Sequence, residues 1–360
     1  MKNLVMSLEE AIKLTQEYND KRRTGEIRAL KTGLKQLDEN LGGFDLNTIS
    51  AIAARPSVGK STYLMMIREG ILRNNPELEI VWLSFNLEMS TANSINRMIC
   101  RAEDISLREL TSKDNPIKKE KLESISKNYL DKIKGLPLHF VNIPMSYDAL
   151  ISQIKAFWDA NCKGNKKKIF VYDIDHIHII GGLNNEAEDK KIMKLLGELN
   201  SFKKSLEVQG YYSLGFILSQ VSNDIESKER LSKPDLQYPL MKDLYYGAGL
   251  QQYCDYILAL YNPYKIHLKS YGSKNLPVLY LENNNVFIPL IYSHILKQRD
   301  GETNDNEIPM IARLSRYYME EIPKQEFYTM LRNATTVIDN PIIAGKKIIQ
   351  GVTNAIEQEF

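Results

Sequence analysis

Residues 48–69 read Thr48-Ile-Ser-Ala-Ile-Ala-Ala54-Arg-Pro-Ser-Val-Gly-Lys60-Ser61-Thr-Tyr-Leu-Met-Met-Ile-Arg-Glu69. The first six residues are an apolar strand, and from Thr62 the pattern is helical. A strand, a tight loop ending in Gly-Lys-Ser and a helix form a phosphate cradle, the P-loop. Gly59 has no Cβ to keep the backbone away from phosphate oxygens. Successive N–H groups and the start of the helix then face negative charge. The spacing predicts Lys60 on the β- and γ-phosphates and the Ser61 hydroxyl on Mg²⁺. Arg55, Ser57 and Thr62 belong to the same cradle. Ala54 stands where the general pattern has glycine.

Working outward, the composition restricts the function classes. The chain has 360 residues, 43% of them hydrophobic, enough for one large domain or two modest ones. No apolar run reaches the length of a bilayer span, and no signal peptide opens the sequence. Cys100, Cys162 and Cys254 lie far apart without metal-ligand spacing, which predicts reduced thiols in a cytoplasm. A net charge of +2 argues against a protein that coats DNA with its outer surface. Any nucleic-acid contact is then confined to a small loop or channel.

Ser7-Leu-Glu-Glu10 is a capping box followed by Leu8, Ala11 and Ile12 at helical spacing. It predicts a short amphipathic helix ending near Tyr18, then a polar linker over Asn19–Arg28. Residues 1–31 are therefore read as helix and linker, 32–322 as the catalytic domain and 323–360 as a C-terminal extension. Strands are expected at Thr48–Ala53, Ile80–Phe85, Leu138–Ile143, Ile169–Asp173, Leu214–Gln220 and Tyr256–Tyr261. Helices are expected between several of them, as at Tyr147–Ala160 and Lys190–Leu206. Such alternation predicts an α/β fold, a mainly parallel sheet flanked by helices. Ser293–Gln298 and Pro309–Tyr317 read as a late antiparallel hairpin at the sheet edge. A helix-like tail, Ala344–Glu357, closes the chain.

Ligands of open parallel sheets bind beyond the carboxyl ends of the strands. Lys168-Ile-Phe-Val-Tyr-Asp173 ends in a carboxylate, so Asp173 is the expected support of Mg²⁺. Asp175 reads as an outer carboxylate or a loop residue. Glu88 follows the strand Ile80–Phe85 and emerges at the same edge, where it can orient or deprotonate a water. Gln220 ends another apolar strand and could sense the γ-phosphate. Each of the last two has a plainer reading, as a helix-capping Glu and a solvated Gln. His176 and His178 are read as one packed face of an extended segment, since a third metal ligand is missing nearby.

Together these residues resemble the motor domain of DnaB-type replicative helicases. Ala53–Ser61 looks like the family's Walker A, including Ala for the first Gly. Thr32-Gly-Leu-Lys-Gln-Leu-Asp38 with Leu41-Gly-Gly43 resembles the entry to the ATPase domain. Leu87-Glu-Met89 resembles the catalytic-glutamate motif and Leu218-Ser-Gln220 the sensor strand. Asp243–Asp255 has the length and end residues of the DNA-loop motif, and Lys297-Gln-Arg299-Asp-Gly301 looks like a Lys-x-Arg finger. The match runs from about Thr32 to Met319.

The resemblance implies a RecA-like P-loop ATPase core, ATP with Mg²⁺, and a homo-oligomer, a hexameric ring around single-stranded DNA. It implies that Arg299, with Lys297, reaches the neighbouring subunit's site. In the DNA loop the family's Arg-Glu is replaced by Tyr245-Tyr246. Stacking of these tyrosines on bases is expected, with Lys242 supplying charge and Gly247 and Gly249 backbone N–H groups. The second channel loop, Gly181–Asp189, is acidic, which disfavours phosphate. The family's primase-recruiting N-terminal domain has no counterpart here, so primase and loader stay open as partners. The first helix corresponds to the linker helix that docks on the next subunit. Compactness suits a phage or mobile element. Two rivals remain: a filament-forming recombination or repair ATPase, disfavoured by the lack of an oligomerisation strand and basic loops, and an ATP-gated assembly protein without DNA grip.

Overall fold

The computed structural model describes residues 7–113, 117–125, 127, 135–177, 188–282, 286–299, 301 and 307–338. Its strands are β1 (Thr48–Ala54), β2 (Glu79–Asn86), β3 (Leu138–Val141), β4 (Lys168–Asp175), β5 (Tyr212–Gln220), β6 (Tyr256–Tyr261), β7 (Leu279–Glu282), β8 (Val286–Gln298), β9 (Ile308–Arg313) and β10 (Tyr318–Glu321). The main helices are α1 (Leu8–Arg23), α2 (Lys35–Leu41), α3 (Lys60–Asn74), α4 (Thr91–Glu103), α5 (Tyr147–Asn161), α6 (Glu188–Val208), α7 (Gly247–Tyr253) and α8 (Lys324–Ile338).

Among the described residues one sheet runs β10-β9-β8-β6-β1-β5-β4-β2-β3, with β7 paired to β8. The strands from β3 to β6 are parallel. β8, β9 and β10 add an antiparallel flank. The central strands are continuous apolar runs because both faces are covered. On one face Ile49, Ala51, Phe170 and Ile217 pack with Leu150 and Ile154 of α5 and Leu195 and Leu199 of α6. On the other, Ile52, Trp82, Val171 and Phe216 pack beneath Tyr63, Leu64, Ile67 and Ile71 of α3. The alternation of β-strand side chains thus assigns each strand residue to one layer.

The expected mainly parallel α/β fold is present, with differences at its margins. The last strand candidate, Pro309–Tyr317, is strand only as far as Arg313; a tight turn at Leu314–Arg316, with Tyr317 in the left-handed region (φ 53°), then leads into β10. β7 has no counterpart in the sequence reading, and β8 begins seven residues before Ser293.

α1 is longer than its sequence suggests. The capping box forms, with Ser7 N donating to Glu10 Oε2 (2.8 Å) and Glu10 N to Ser7 Oγ (3.2 Å). The helix then runs through the supposed linker to Arg23, because Lys21, Arg22 and Arg23 complement its C-terminal dipole. Arg22 Nη1 also reaches Asp45 Oδ1 at 2.5 Å. None of its residues is buried, and Leu8 is 78% exposed.

The two ends of the domain are joined. Leu34, the N-cap of α2, offers no side-chain acceptor. Glu321 of β10 does this instead, accepting from Gln36 N (2.7 Å) and Leu37 N (3.0 Å). Phe327 of α8 packs into the core, so the chain beyond Ile322 continues onto the domain at its start. The expected tail helix Ala344–Glu357 lies outside the described residues.

Candidate active site

The parallel register sets the site. Ala54 pairs with Gln220 and with Leu260, and Asn86 pairs with Asp175. Five strand ends therefore open on one edge, and the P-loop leaves β1 there. A cavity of about 380 Å³ forms at this edge, lined by Arg55, Ser57, Gly59, Lys60, Ser61, Thr62, Glu88, His176 and Gln220 among others.

The loop geometry fits a phosphate cradle. Gly59 is the N-cap of α3 with φ 98°, a conformation side chains resist. A Cβ there would press on Met319 and Leu314, because the turn between β9 and β10 roofs the loop. Lys60 is largely buried, and burial pulls its pKa down, while Asp175 and Glu88 favour its charge. An anion in the cavity would restore that charge balance. Arg55 is committed elsewhere: its Nε donates to Glu226 Oε1 (3.1 Å) and its Nη1 to Val221 O (3.2 Å). It lines the cavity while fastening the segment after β5.

The carboxylate beside the cradle is Asp175, not Asp173. β4 continues two residues beyond Asp173. Both aspartates face α3, because side chains two apart share a face. Asp175 sits at the lip, with the Ser61 hydroxyl and Lys60 against it. Asp173 lies one step inside, fully buried, accepting from Trp82 Nε1 (2.5 Å) and Ser84 Oγ (2.8 Å), with Arg68 Nη1 at 3.8 Å. Burial pushes Asp173 up to about 6, with Arg68 opposing. Its oxygens are engaged inside the fold, and it is not among the residues lining the cavity of about 380 Å³. Burial also raises Asp175, and its Oδ1 is buried without a hydrogen-bond partner. An unpaired buried carboxylate oxygen beside a hydroxyl is a hard-oxygen donor set, and it fits Mg²⁺.

Glu88 lies across the cavity, its side chain 57% exposed. His176 Nε2 stands 3.6 Å from Glu88 Oε2. Burial first, then Lys60, lowers the His176 pKa, so the ring is neutral at pH 7. His176 is therefore a cavity residue; His178 lies outside the described residues. The sequence reading also missed Arg97 and Tyr317, which line the cavity with the guanidinium 5.0 Å from the ring centroid. Nothing local marks them: they come from α4 and the turn before β10.

Gln220 connects the site to the next motif. Its carbonyl accepts from Tyr245 N (3.0 Å), and Ser219 Oγ donates to Tyr245 O (3.3 Å). Tyr245 is 41% exposed and Lys242 is exposed. Tyr246 turns inward, with its hydroxyl on the Glu188 carboxylate. Gly249 is buried, and a Cβ there would meet Leu196 Cδ1 at 3.2 Å. Its lack of a Cβ lets α7 pack closely on α6. Gly247 likewise packs close to Met241 O. Most of the acidic loop Gly181–Asp189 lies outside the described residues.

Lys297 and Arg299 stand at the far edge. Gln298 pairs with Tyr256, the first residue of β6, whereas the P-loop edge is marked by Leu260. Four residues of strand separate them, roughly 13 Å. Arg299 Nη1 contacts Asp255 Oδ1 at 2.6 Å, and Lys297 Nζ donates to Gln251 O (2.6 Å) and Cys254 O (2.7 Å). The cavity of this chain thus gathers Lys60, Ser61, Glu88 and Gln220 but neither finger residue.

Comparison with known proteins supports the same picture. Residues 29–319 match the family model described as the DnaB-like helicase C terminal domain. The chain is 25% identical over 300 residues to the replicative DNA helicase DnaB of Geobacillus stearothermophilus, covering 82% of this chain and 57% of that protein. It is 24% identical over 306 residues to the replicative DNA helicase DnaC of Bacillus subtilis, with the same coverage of each. The chain thus spans a little over half the length of these relatives. Among solved structures, one of an isolated ATPase domain superposes with a TM-score of 0.69 at 19% identity, covering 89% of this chain and 100% of that one. A DnaB-like replicative helicase studied for its interactions with primase gives 0.64 at 19% identity, over 89% of this chain and 68% of that one. These superpositions establish the RecA-like fold.

Proposed function

Because the chain belongs to the DnaB-like helicase C-terminal domain family, we propose that it is an ATP-driven ring motor that translocates along single-stranded DNA and opens duplexes in replication. One observation carries this reading: the cavity that gathers Lys60, Ser61, Glu88 and Gln220 holds neither Lys297 nor Arg299, which lie at the opposite sheet edge. A second copy placed edge to edge supplies them, so the working unit is an oligomer with shared sites, in the family's case a hexameric ring.

In this reading Lys60 binds the β- and γ-phosphates, while Ser61 and Asp175 hold the metal. Bound Mg²⁺ supplies neutralisation of phosphate charge. Glu88, with neutral His176 3.6 Å away, orients the attacking water and takes its proton. Gln220 senses the γ-phosphate, and its carbonyl passes the displacement to Tyr245. Lys242, Tyr245 and Tyr246 form the DNA-facing loop, with Tyr245 as the stacking residue. Lys297 and Arg299 act on the neighbour's site. No helix among the described residues is long and apolar enough to cross a membrane. A cytoplasmic place follows for a replication motor. Primase or a loader would be recruited by surfaces outside this core.

The test is ATPase activity with and without single-stranded DNA, together with unwinding of a forked duplex. Stimulation and unwinding support the motor. Robust turnover indifferent to DNA, without unwinding, would favour an ATP-gated scaffold. Tyr245→Ala is expected to weaken single-strand binding by about 1–3 kcal/mol, the worth of one stacked base, measured by fluorescence titration. Unchanged affinity would remove Tyr245 from the interface.

The exposed apolar face of α1 fits ring assembly. Leu8, Ile12 and Tyr18 are 78%, 50% and 45% exposed. A helix that buries nothing on its own domain needs another surface. A groove of about 590 Å³ beside α6, lined by Met193, Gly197 and Tyr253, offers such a surface on the next copy. Ile12→Glu should shift the assembly toward smaller species in sedimentation and lower turnover in proportion. A variant that assembles normally would place α1 elsewhere.

A further inference from the structure

Asp255 is the point where the two peripheral motifs meet. One residue, Cys254, separates it from the end of the DNA-loop helix α7, and its side chain is only 5% exposed. Its two oxygens face different ways. Oδ2 is anchored inside the domain, accepting from Ile49 N of β1 (2.8 Å) and from buried Lys203 Nζ of α6 (2.9 Å). The backbone N–H of Asp255 also donates to Ile49 O (2.7 Å). Oδ1 is left to accept from Arg299 Nη1 (2.6 Å), whose side chain is 59% exposed.

A carboxylate fixed by one oxygen presents the other at a fixed place and angle. Arginine carries five donors in a planar fork, so engagement of one Nη leaves the rest directed outward. Next to it, Lys297 Nζ is held by the carbonyls of Gln251 and Cys254 at the C-terminal end of α7. Both finger side chains are thereby braced on the residues that end the DNA-loop motif.

We propose that Asp255 is the positioning residue of the trans-acting finger, holding Arg299 in the orientation that the neighbouring nucleotide site requires and tying it to the end of α7. This rests on the reading of Arg299 as acting in trans. Asp255 touches no substrate; it acts through Arg299. A guanidinium freed from this brace samples many rotamers, and loss of orientation by about 1 Å can cost 10²-fold in rate.

The test uses the full chain assembled with ATP, Mg²⁺ and an oligonucleotide. Asp255→Asn should lower kcat by about 10²-fold and leave KM for ATP within about two-fold. Mixed with Lys60→Ala subunits, it should regain turnover. Its own site is intact, and the Lys60→Ala neighbour supplies a braced finger. A folding defect or a role in the subunit's own site would not be rescued this way. The control mixture, Arg299→Ala with Lys60→Ala, must also regain turnover. Failure of that control overturns the trans reading and this proposal with it. Recovery of the control without recovery of Asp255→Asn overturns this proposal alone. Unchanged or raised kcat in Asp255→Asn also overturns it. The substitution leaves Lys203 buried without its carboxylate, so the double variant Asp255→Asn/Lys203→Met is measured in parallel. Rescue of the double variant in mixed rings supports the proposal, and a double variant that does not fold assigns Asp255 to the scaffold and overturns it.

Discussion

Asp175→Asn is expected to lose at least about 10²-fold in ATP turnover, the usual consequence of removing a preorganised electrostatic group from a phosphoryl site, and at the same time to melt at a higher temperature near neutral pH. Both effects come from one cause. The carboxylate is buried at the lip of β4 with Oδ1 unsatisfied, and burial raises its pKa above 3.8. The folded protein therefore binds this proton more tightly than the unfolded chain. Stability falls as pH climbs from the unfolded pKa through the folded one, and above both the ion's full cost is present. Asparagine carries no such cost. The variant's thermal advantage should appear above about pH 4, grow with pH, and vanish in more acid solution. Calorimetry without nucleotide across pH 3–8, set beside turnover, checks the pair. Asp173→Asn should differ in turnover: this carboxylate is engaged by Trp82 and Ser84 inside the fold, so the folded variant should keep its kcat. Its stability reports two opposed effects, because burial also raises Asp173, up to about 6, while Arg68 opposes that shift and loses its carboxylate in the variant. If Asp173→Asn abolishes turnover and Asp175→Asn does not, the metal assignment reverts to Asp173.

Arg299→Ala should lower turnover by about 10³–10⁵-fold, the range of arginine fingers, with nucleotide binding retained. The structure gives the reason for the split. Arg299 sits at the opposite end of β6 from the P-loop, so its loss leaves its own subunit's cradle untouched. Equilibrium binding of a fluorescent nucleotide and steady-state turnover separate the two quantities. Wild-type turnover in this variant would end the finger assignment. Because Arg299 is also bonded to Asp255, a modest loss of stability accompanies the change; that ion pair is more than half exposed on the arginine side and contributes little.

The sheet and its phosphate loop were legible because their signals are local. Gly59-Lys60-Ser61 after an apolar strand needs no distant partner to be recognised, and alternating strands and helices predict a parallel sheet. Asp173 was chosen over Asp175 because which of the two reaches the lip depends on where β4 ends. Asp173 and Asp175 share a face, and only the pairing of Asn86 with Asp175 shows which one reaches the lip. The turn between β9 and β10 was hidden because Leu314-Ser-Arg-Tyr317 contains neither glycine nor proline; Tyr317 itself adopts the left-handed conformation. The packing role of Gly249 was hidden because sequence cannot show Leu196 lying against it. The brace on Arg299 joins residues 44 positions apart, beyond any local pattern.

The roof over the phosphate loop has a further consequence. Leu314 and Met319 close over Gly59, and Glu321 caps α2 from 285 positions away. A ribosome must therefore deliver the chain through Met319 before the cradle has its ceiling. Nascent fragments ending ahead of residue 314 carry every P-loop residue and still lack the Leu314 and Met319 roof over Gly59.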